Sequence, residues 1–333
     1  MIPRSEQYSA GCRVGFVGTG GVAARHAAVL AGFDDAVLVS ATDADAARAV
    51  AFATAFGTDV APDIDALLAH GLDAVYVCVP PFAHGPIEER LAGAGVAVFV
   101  EKPPAVDEST AERIAAGFTA AGTTTRVGLH WRVGEPALRA RALLEGRTVR
   151  VVNGRWLDKL PPVPWWGDPA RSGGQVVEQA VHVLDLARFL VGEVAEVQAV
   201  AGGPPGDGTG GDGVRVDGAT AAVLRFAGGA VGTLATTCAL GWKDSAALQI
   251  VTDDLVLDVG ERGLEVRENG ATTHRPFDQA LAHRAADRAF LDAVGGHPAV
   301  DDLPDHAEAL RSHRLACAVS RSARSGRTEQ VDP

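Results

Sequence analysis

Two α/β domains are predicted by this sequence, the first built on a doubly wound parallel sheet, the second on an open, largely antiparallel one. Three observations carry the prediction. The chain has 333 residues, which at roughly 150 residues per domain suggests about two domains. Its first third alternates short apolar, β-branched runs with helical patterns. Its later part strings such runs together with few helices between them.

The strand-like runs RVGFVG (13–18), AVLVSA (36–41), AVYVCV (74–79) and VAVFV (96–100) come first. They are nearly all apolar, as parallel strands covered on both faces tend to be. Between them lie helical segments, such as Asp43 to Phe56, which is Ala-rich and ends at Gly57. Strand–helix alternation implies βαβ units with right-handed crossovers. TRVGL (125–129) reads as the last strand, so the first domain is assigned to residues 1–129.

Past residue 148 come TVRVVNGRW (148–156), VAEVQAVA (194–201), ATAAVLRF (219–226), AVGTLATTC (230–238) and AALQIVT (246–252). A hairpin is expected around Gly228-Gly229. Helices are expected near 173–190, 278–294 and 304–324. The second domain is assigned to 130–300, and the C-terminal helix in 301–333 is expected to pack back on the first domain. GGPPGDGTGGDG (202–213) reads as a flexible surface loop.

Apolar residues make up 47% and charged residues 22%, an ordinary globular composition. The net charge of −12 argues against a nucleic-acid partner, because phosphate binding needs clustered positive charge. No run approaches the ~20 uninterrupted apolar residues of a membrane-spanning helix. No apolar segment before Val14 reads as a secretory signal. Cys12, Cys78, Cys238 and Cys317 are far apart and form no CxxC pair, which reads as reduced thiols in a cytoplasmic protein. The ten histidines form no HExxH signature, and no metal is expected.

Gly18-Thr19-Gly20-Gly21-Val22-Ala23 follows the first strand and opens a helix. This is the G-x-G-x-x-A fingerprint of dinucleotide binding. The first Gly makes the tight turn, the second lets a pyrophosphate approach the backbone, and free N–H groups with the helix dipole hold the phosphates. Asp43 ends the second strand near the ~20-residue spacing expected for the ribose-binding acid. A carboxylate there accepts the ribose hydroxyls of NAD and repels the 2′-phosphate of NADP, so NAD is the predicted cofactor.

Lys and Arg total 30, yet lysine occurs only at 102, 159 and 243. Lys102 stands in Glu101-Lys102-Pro103-Pro104, directly after VAVFV. Ligands of such sheets bind at the C-terminal strand edge. A lysine there can serve as hydrogen-bond donor or proton carrier, and the competing reading is a salt bridge to Glu101. From Ser172 to Asp185 the chain reads as an amphipathic helix with apolar residues at 177, 181 and 184. Glu178 and His182 share a face of it, with Asp185 beyond. An acid can orient a histidine ring for general acid/base work, and the competing reading is a surface ion pair.

The G-x-G-x-x-A loop, the PPFAHG turn, the EKP motif and GG-x₃-E-x₃-H-x₂-D occur in that order, with FLDAVGGHPAV (290–300) behind them. Together they resemble the Gfo/Idh/MocA family of oxidoreductases over nearly the whole chain. The resemblance implies a Rossmann dinucleotide domain and an open-faced α/β domain whose exposed sheet forms subunit contacts, hence a homodimer or homotetramer. Lys102 matches the family's active-site lysine, with Glu101 beside it among the cofactor contacts, and His182 matches the catalytic histidine. Glu178 stands where many members carry Asp, with a catalytic or substrate-binding role. Gly18, Gly20, Gly21, Val22, Asp43, Pro80, Pro81 and His84 fall on cofactor-lining positions. His130, Arg132, Trp165, Trp166 and Asp185 are candidates for the substrate, the tryptophans by stacking on a sugar ring. Lys159 is a further candidate, while Lys243 receives no role. The implied function is NAD-dependent hydride transfer with a secondary alcohol or ketone of a sugar, cyclitol or related polyol. The alternatives are a non-catalytic NAD(H) sensor and an NAD-dependent glycoside-cleaving enzyme of the same fold.

Overall fold

The computed structural model describes residues 11–205, 213–297 and 303–332. Parts of the 202–213 loop and of FLDAVGGHPAV lie outside the described residues. The chain forms two compact units. The first holds the described residues through Ala105, then Ser109–His130 and His283–Glu308. The second holds Val106–Glu108, Trp131–Ala282 and the chain from Ala309 onward.

The first unit begins with β1 (Cys12–Val17), α1 (Gly21–Leu30), β2 (Ala36–Thr42), α2 (Ala46–Phe56), β3 (Asp59–Val60) and α3 (Ile64–Leu68). It continues with β4 (Ala74–Val77), α4 (Pro86–Ala92), β5 (Ala97–Val100), α5 (Glu108–Ala121) and β6 (Thr125–Val127). The six strands run parallel in the order β3-β2-β1-β4-β5-β6. This is the doubly wound order, whose winding reverses between β1 and β4. β4 and β5 are buried along their whole length, which is why they read as unbroken apolar runs. β3 is only two exposed residues and carries no apolar signal. α2 starts later than the Asp43 expected for it: Asp45 is its N-cap and accepts from the amides of Ala47 and Arg48.

The second unit carries α6 (Glu135–Leu144), β7 (Val151–Leu157), α7 (Pro169–Ser172) and α8 (Val181–Val191). Then follow β8 (Val194–Gly202), β9 (Ala219–Phe226), β10 (Val231–Thr237), β11 (Ser245–Val251), β12 (Leu255–Gly260), β13 (Gly263–Glu268) and β14 (Ala271–Pro276). With β15 (Glu329–Gln330) they make a nine-stranded sheet in the order β14-β13-β12-β11-β7-β10-β9-β8-β15. Among the described residues of this sheet only β7 and β10 pair in parallel; the other pairings are antiparallel. β9 alternates exposed and buried residues along its length, the mark of a sheet with one covered face. β12 to β14 went unread in the sequence because charged and polar residues interrupt their apolar positions. The helix expected over 173–190 opens instead with a π turn at Val176–Ala180 before α8.

The last two helices, α9 (Gln279–Val294) and α10 (His306–Ser325), correct the expected boundary at 300/301. It is α9 that returns to the first unit. Its Phe290 packs edge-on against Tyr76 and Phe99 at ring-centroid distances of 5.3 and 5.5 Å. From Ala309 on, α10 belongs to the second unit, where Ser312 hydrogen-bonds Asp185 and Arg188 and Ser322 receives the Ala199 amide. No described helix is long and apolar enough to cross a membrane. Among the described residues no cluster of three His, Cys, Asp or Glu is placed to hold a metal ion. The four thiols are free, and burial pushes that of Cys12 up to about 12.

Candidate active site

Because the strands of the first unit are parallel, the ends of β1, β2, β4 and β5 lie along one edge. Gly18, after β1, has a φ of +84°, and a Cβ there would meet the Cys78 carbonyl oxygen at 2.5 Å. Neither a side chain nor left-handed strain is tolerated at that turn. A Cβ at Gly20 or Gly21 would meet nothing within 4 Å. Gly20 caps α1 without any side-chain hydrogen bond, so the first-turn N–H groups face open space, with Val22 exposed beside them.

Asp43, after β2, braces this loop. Its Oδ2 accepts from the Thr19 amide at 2.8 Å and the Thr19 hydroxyl at 3.0 Å, and its Oδ1 from the Asp45 amide at 2.8 Å. Arg48 stands 3.3 Å from the same carboxylate. Burial works against its charge, but these donors hold it below the ordinary carboxylate range. After β4, Pro80 leads into a tight turn over Pro81–Ala83. His84 is buried there and bonds Glu88 through Nδ1 at 2.6 Å, while its Nε2 has no hydrogen-bond partner among the described residues. An uncapped helix start, a bare glycine loop, a braced acid and a buried polar atom in need of a partner together fit a dinucleotide.

Lys102 follows β5. Glu101 beside it is buried, and both of its oxygens are engaged within the first unit. Oε1 accepts from His26 Nε2 at 3.0 Å with Arg25 at 3.8 Å, and Oε2 accepts from the Lys102 amide at 3.0 Å. Glu101 therefore acts as an internal brace, with both carboxylate oxygens engaged. His26 also bonds Asp287 of α9, Nδ1 to Oδ1, at 2.6 Å. Burial opposes charge on His26, but hydrogen bonds to Asp287 and Glu101 raise it to about 9. Burial would likewise raise Glu101, yet the hydrogen bond and charge of His26 bring it down to about 2. His130 lies against His283, ring centroids 3.9 Å apart. Burial drives His130 well below 6.5 and His283 down to about 4. His26, His283 and Asp287 escaped the sequence reading. A buried histidine on the helix after a glycine loop was the one available signal.

In the second unit His182 opens α8. Its ring is nearly parallel to Trp131 and Trp156, at centroid distances of 5.7 and 5.9 Å. Trp156 comes from a buried position of β7 and donates from Nε1 to Asp158 at 3.3 Å. Lys243, which had no assigned role, holds its Nζ 4.7 Å from the Trp156 ring centroid and 2.7 Å from Glu261. Lys159 donates its backbone amide to Asp158 at 2.8 Å.

Three of the expected substrate contacts have partners inside the protein. Trp166 is only 1% exposed, packs with Val216 and Cys238, and donates from Nε1 to Glu178 at 2.7 Å. It is a core residue, and half-buried Trp165 packs on the same cluster. Arg132 and Asp185 are buried together, joined at 2.8 and 2.6 Å, and Ser312 donates to Asp185 at 2.6 Å. Each is a hydrogen-bond partner of the other. The π turn also changes the simple i,i+4 relation read between Glu178 and His182.

The fold and the glycine loop define a dinucleotide-binding scaffold. Residues 12–129 match the oxidoreductase family with an NAD-binding Rossmann fold, and 139–254 match the Gfo/Idh/MocA C-terminal domain. The chain belongs to the Gfo/Idh/MocA family, and NAD is the cofactor of that fold. It is similar to the inositol 2-dehydrogenase of Rhizobium meliloti (strain 1021), 37% identical over 186 residues, covering 54% of this chain and 55% of the relative. The myo-inositol 2-dehydrogenase of Thermotoga maritima is 28% identical over 225 residues, 67% of each chain. The chain spans about half the length of the first curated relatives it matches. The solved structure of levoglucosan dehydrogenase with NADH and levoglucosan shares the fold, with a TM-score of 0.86 at 21% identity over 97% of this chain and 99% of that one.

Proposed function

We propose that this protein is an NAD-dependent dehydrogenase or reductase acting on a secondary alcohol, or the matching ketone, of a sugar, cyclitol or related polyol. The observation that carries the reading is Lys102. It is the lone lysine of the first unit and stands on the strand edge that also bears the glycine loop and Asp43. Relatives named as inositol dehydrogenases support the substrate class.

The nicotinamide, when bound, supplies hydride exchange at its C4. The amides at the start of α1 hold the pyrophosphate, and Asp43 accepts ribose hydroxyls while repelling a 2′-phosphate. Lys102 donates to the reacting oxygen and stabilises negative charge as it develops there. His182 takes the hydroxyl proton in oxidation and returns it in reduction. Trp131 and Trp156 fix its ring plane. Glu178, held by Trp166, accepts a neighbouring substrate hydroxyl. Assembly as a homodimer or homotetramer is part of the proposal, supported by the exposed Val200, Val223 and Val231 on neighbouring strands β8 to β10.

Lys102→Ala and His182→Ala are expected to keep NADH binding, read by fluorescence titration, and to lose roughly 10²- to 10⁴-fold in turnover on a polyol panel. Full activity in either variant removes that residue from the mechanism. Binding of NADH with no hydride transfer to any polyol or ketose of the panel would instead favour a sensor.

A further inference from the structure

Behind Lys102 lies a buried row of charges drawn from three distant segments: His26 on α1, Glu101 at the end of β5 and Asp287 on α9. We propose that His26 is a positioning residue for Lys102: a buried imidazolium clamped between Asp287 and Glu101, it fixes the Glu101 carboxylate against the Lys102 backbone. The inference rests on the role given to Lys102 above.

Hydrogen-bond chemistry sets the protonation. His26 Nδ1 stands 2.6 Å from Asp287 Oδ1, and Nε2 stands 3.0 Å from Glu101 Oε1. An ionised carboxylate only accepts, and a neutral imidazole has one N–H to donate. Two carboxylates on the two ring nitrogens require both to carry protons. Both carboxylates are deeply buried, Asp287 fully so, where an uncompensated charge is costly. The imidazolium offsets one of the two negative charges. Arg25, 3.8 Å from Glu101, and Lys102 itself face the other.

The surrounding titratable groups leave this balance alone. From α9 and the turn after β6, His283 and His130 are held neutral by burial. From β4 and the turn after it, burial keeps the Tyr76 phenol and the Cys78 thiol protonated. The His26 ring is fixed by Phe99 and Tyr76, with centroids at 5.0 and 5.1 Å. Room for the Glu101 carboxylate exists because residue 128 is glycine: a Cβ there would stand 2.9 Å from Glu101 Cδ and from both oxygens. Glu101 Oε2 then receives the Lys102 amide at 3.0 Å. The carboxylate thereby sets the backbone from which the Lys102 side chain leaves the strand. No proton passes along this row; it orients.

The test uses the full chain. In protein carrying ¹⁵N-labelled histidine, both ring nitrogens of His26 are expected to remain protonated at pH 8, and a singly protonated ring at that pH overturns the inference. His26→Gln is expected to keep NADH affinity and polyol KM, and to lose roughly 10- to 100-fold in kcat through misplacement of Lys102. The acid limb of its kcat profile moves to higher pH, because Glu101 without the imidazolium takes up a proton more readily. The Lys102 amide proton resonance shifts in the same variant. Asp287→Asn serves should His26→Gln not fold, with changes in the same directions. An unmoved Lys102 amide and an unchanged pH profile in a folded variant refute the role. Should the parent turn over no polyol, the two resonance measurements still decide the role of His26, so the two failures are told apart.

Discussion

Arg132 and Asp185 show how much a single buried pair holds in place. Removing either leaves the other charged, desolvated and without its partner's fork of hydrogen bonds. Arg132→Ala is therefore expected to cost about 3–5 kcal/mol, read from urea denaturation. The double change Arg132→Met with Asp185→Leu recovers most of that loss, because it removes both charges and fills the space. A histidine, an arginine and an aspartate near a helix of the expected kind all suggest ligand chemistry in sequence. Which of them faces a partner inside the protein is invisible there. Asp185 meets Ser312 across 127 positions. Trp166, by contrast, lies only 12 positions before its partner Glu178. Its burial still depends on Val216 and Cys238, which no local pattern ties to it.

At the scale of elements, α9 does more than its amphipathic pattern indicates. Phe290 is fully buried and closes an aromatic cluster in which Tyr76 also stacks on Phe16 and Phe99, at 5.4 and 4.8 Å. Phe290→Ala is expected to cost about 3–5 kcal/mol, visible as a lowered denaturant midpoint with an unchanged slope. The same helix delivers Asp287, so a disturbance at Phe290 reaches the charged row behind Lys102. Strands buried on both faces were legible because nothing interrupts their apolar runs. β12 to β14 were not, since their residues take strand form from the neighbours they pair with. The existence of α9 was legible from its periodicity, but the unit it packs into was not.

For the whole molecule the shifted groups predict how stability follows pH. His26 rises from 6.5 to about 9 on folding, so its contribution is complete below 6.5 and is lost as pH climbs through 9. His283 falls from 6.5 to about 4, so its contribution is present above 6.5 and is lost as pH drops through 4. Glu101 falls from 4.5 to about 2, so its contribution is present above 4.5 and is lost as pH drops from there through 2. Thermal midpoints are expected to decline on both sides of pH 6.5, and His26→Gln is expected to flatten the alkaline side between 6.5 and 9. An alkaline slope that survives this substitution would assign it to other groups.

The sequence by itself determined the alternation of strands and helices, the glycine loop with Asp43 behind it, and the placing of Lys102 at a strand end and His182 on a helix. Each of these depends on periodicity or spacing within a few dozen residues, which the chain carries locally. Only the tertiary structure decided which charged and aromatic residues hold one another. His26 and Asp287 are separated by 261 positions and meet at 2.6 Å. Glu101, Arg132, Trp166 and Asp185 are committed to internal partners for the same reason: a buried polar group must be satisfied by whatever packing brings to it, and packing joins segments that no local pattern relates.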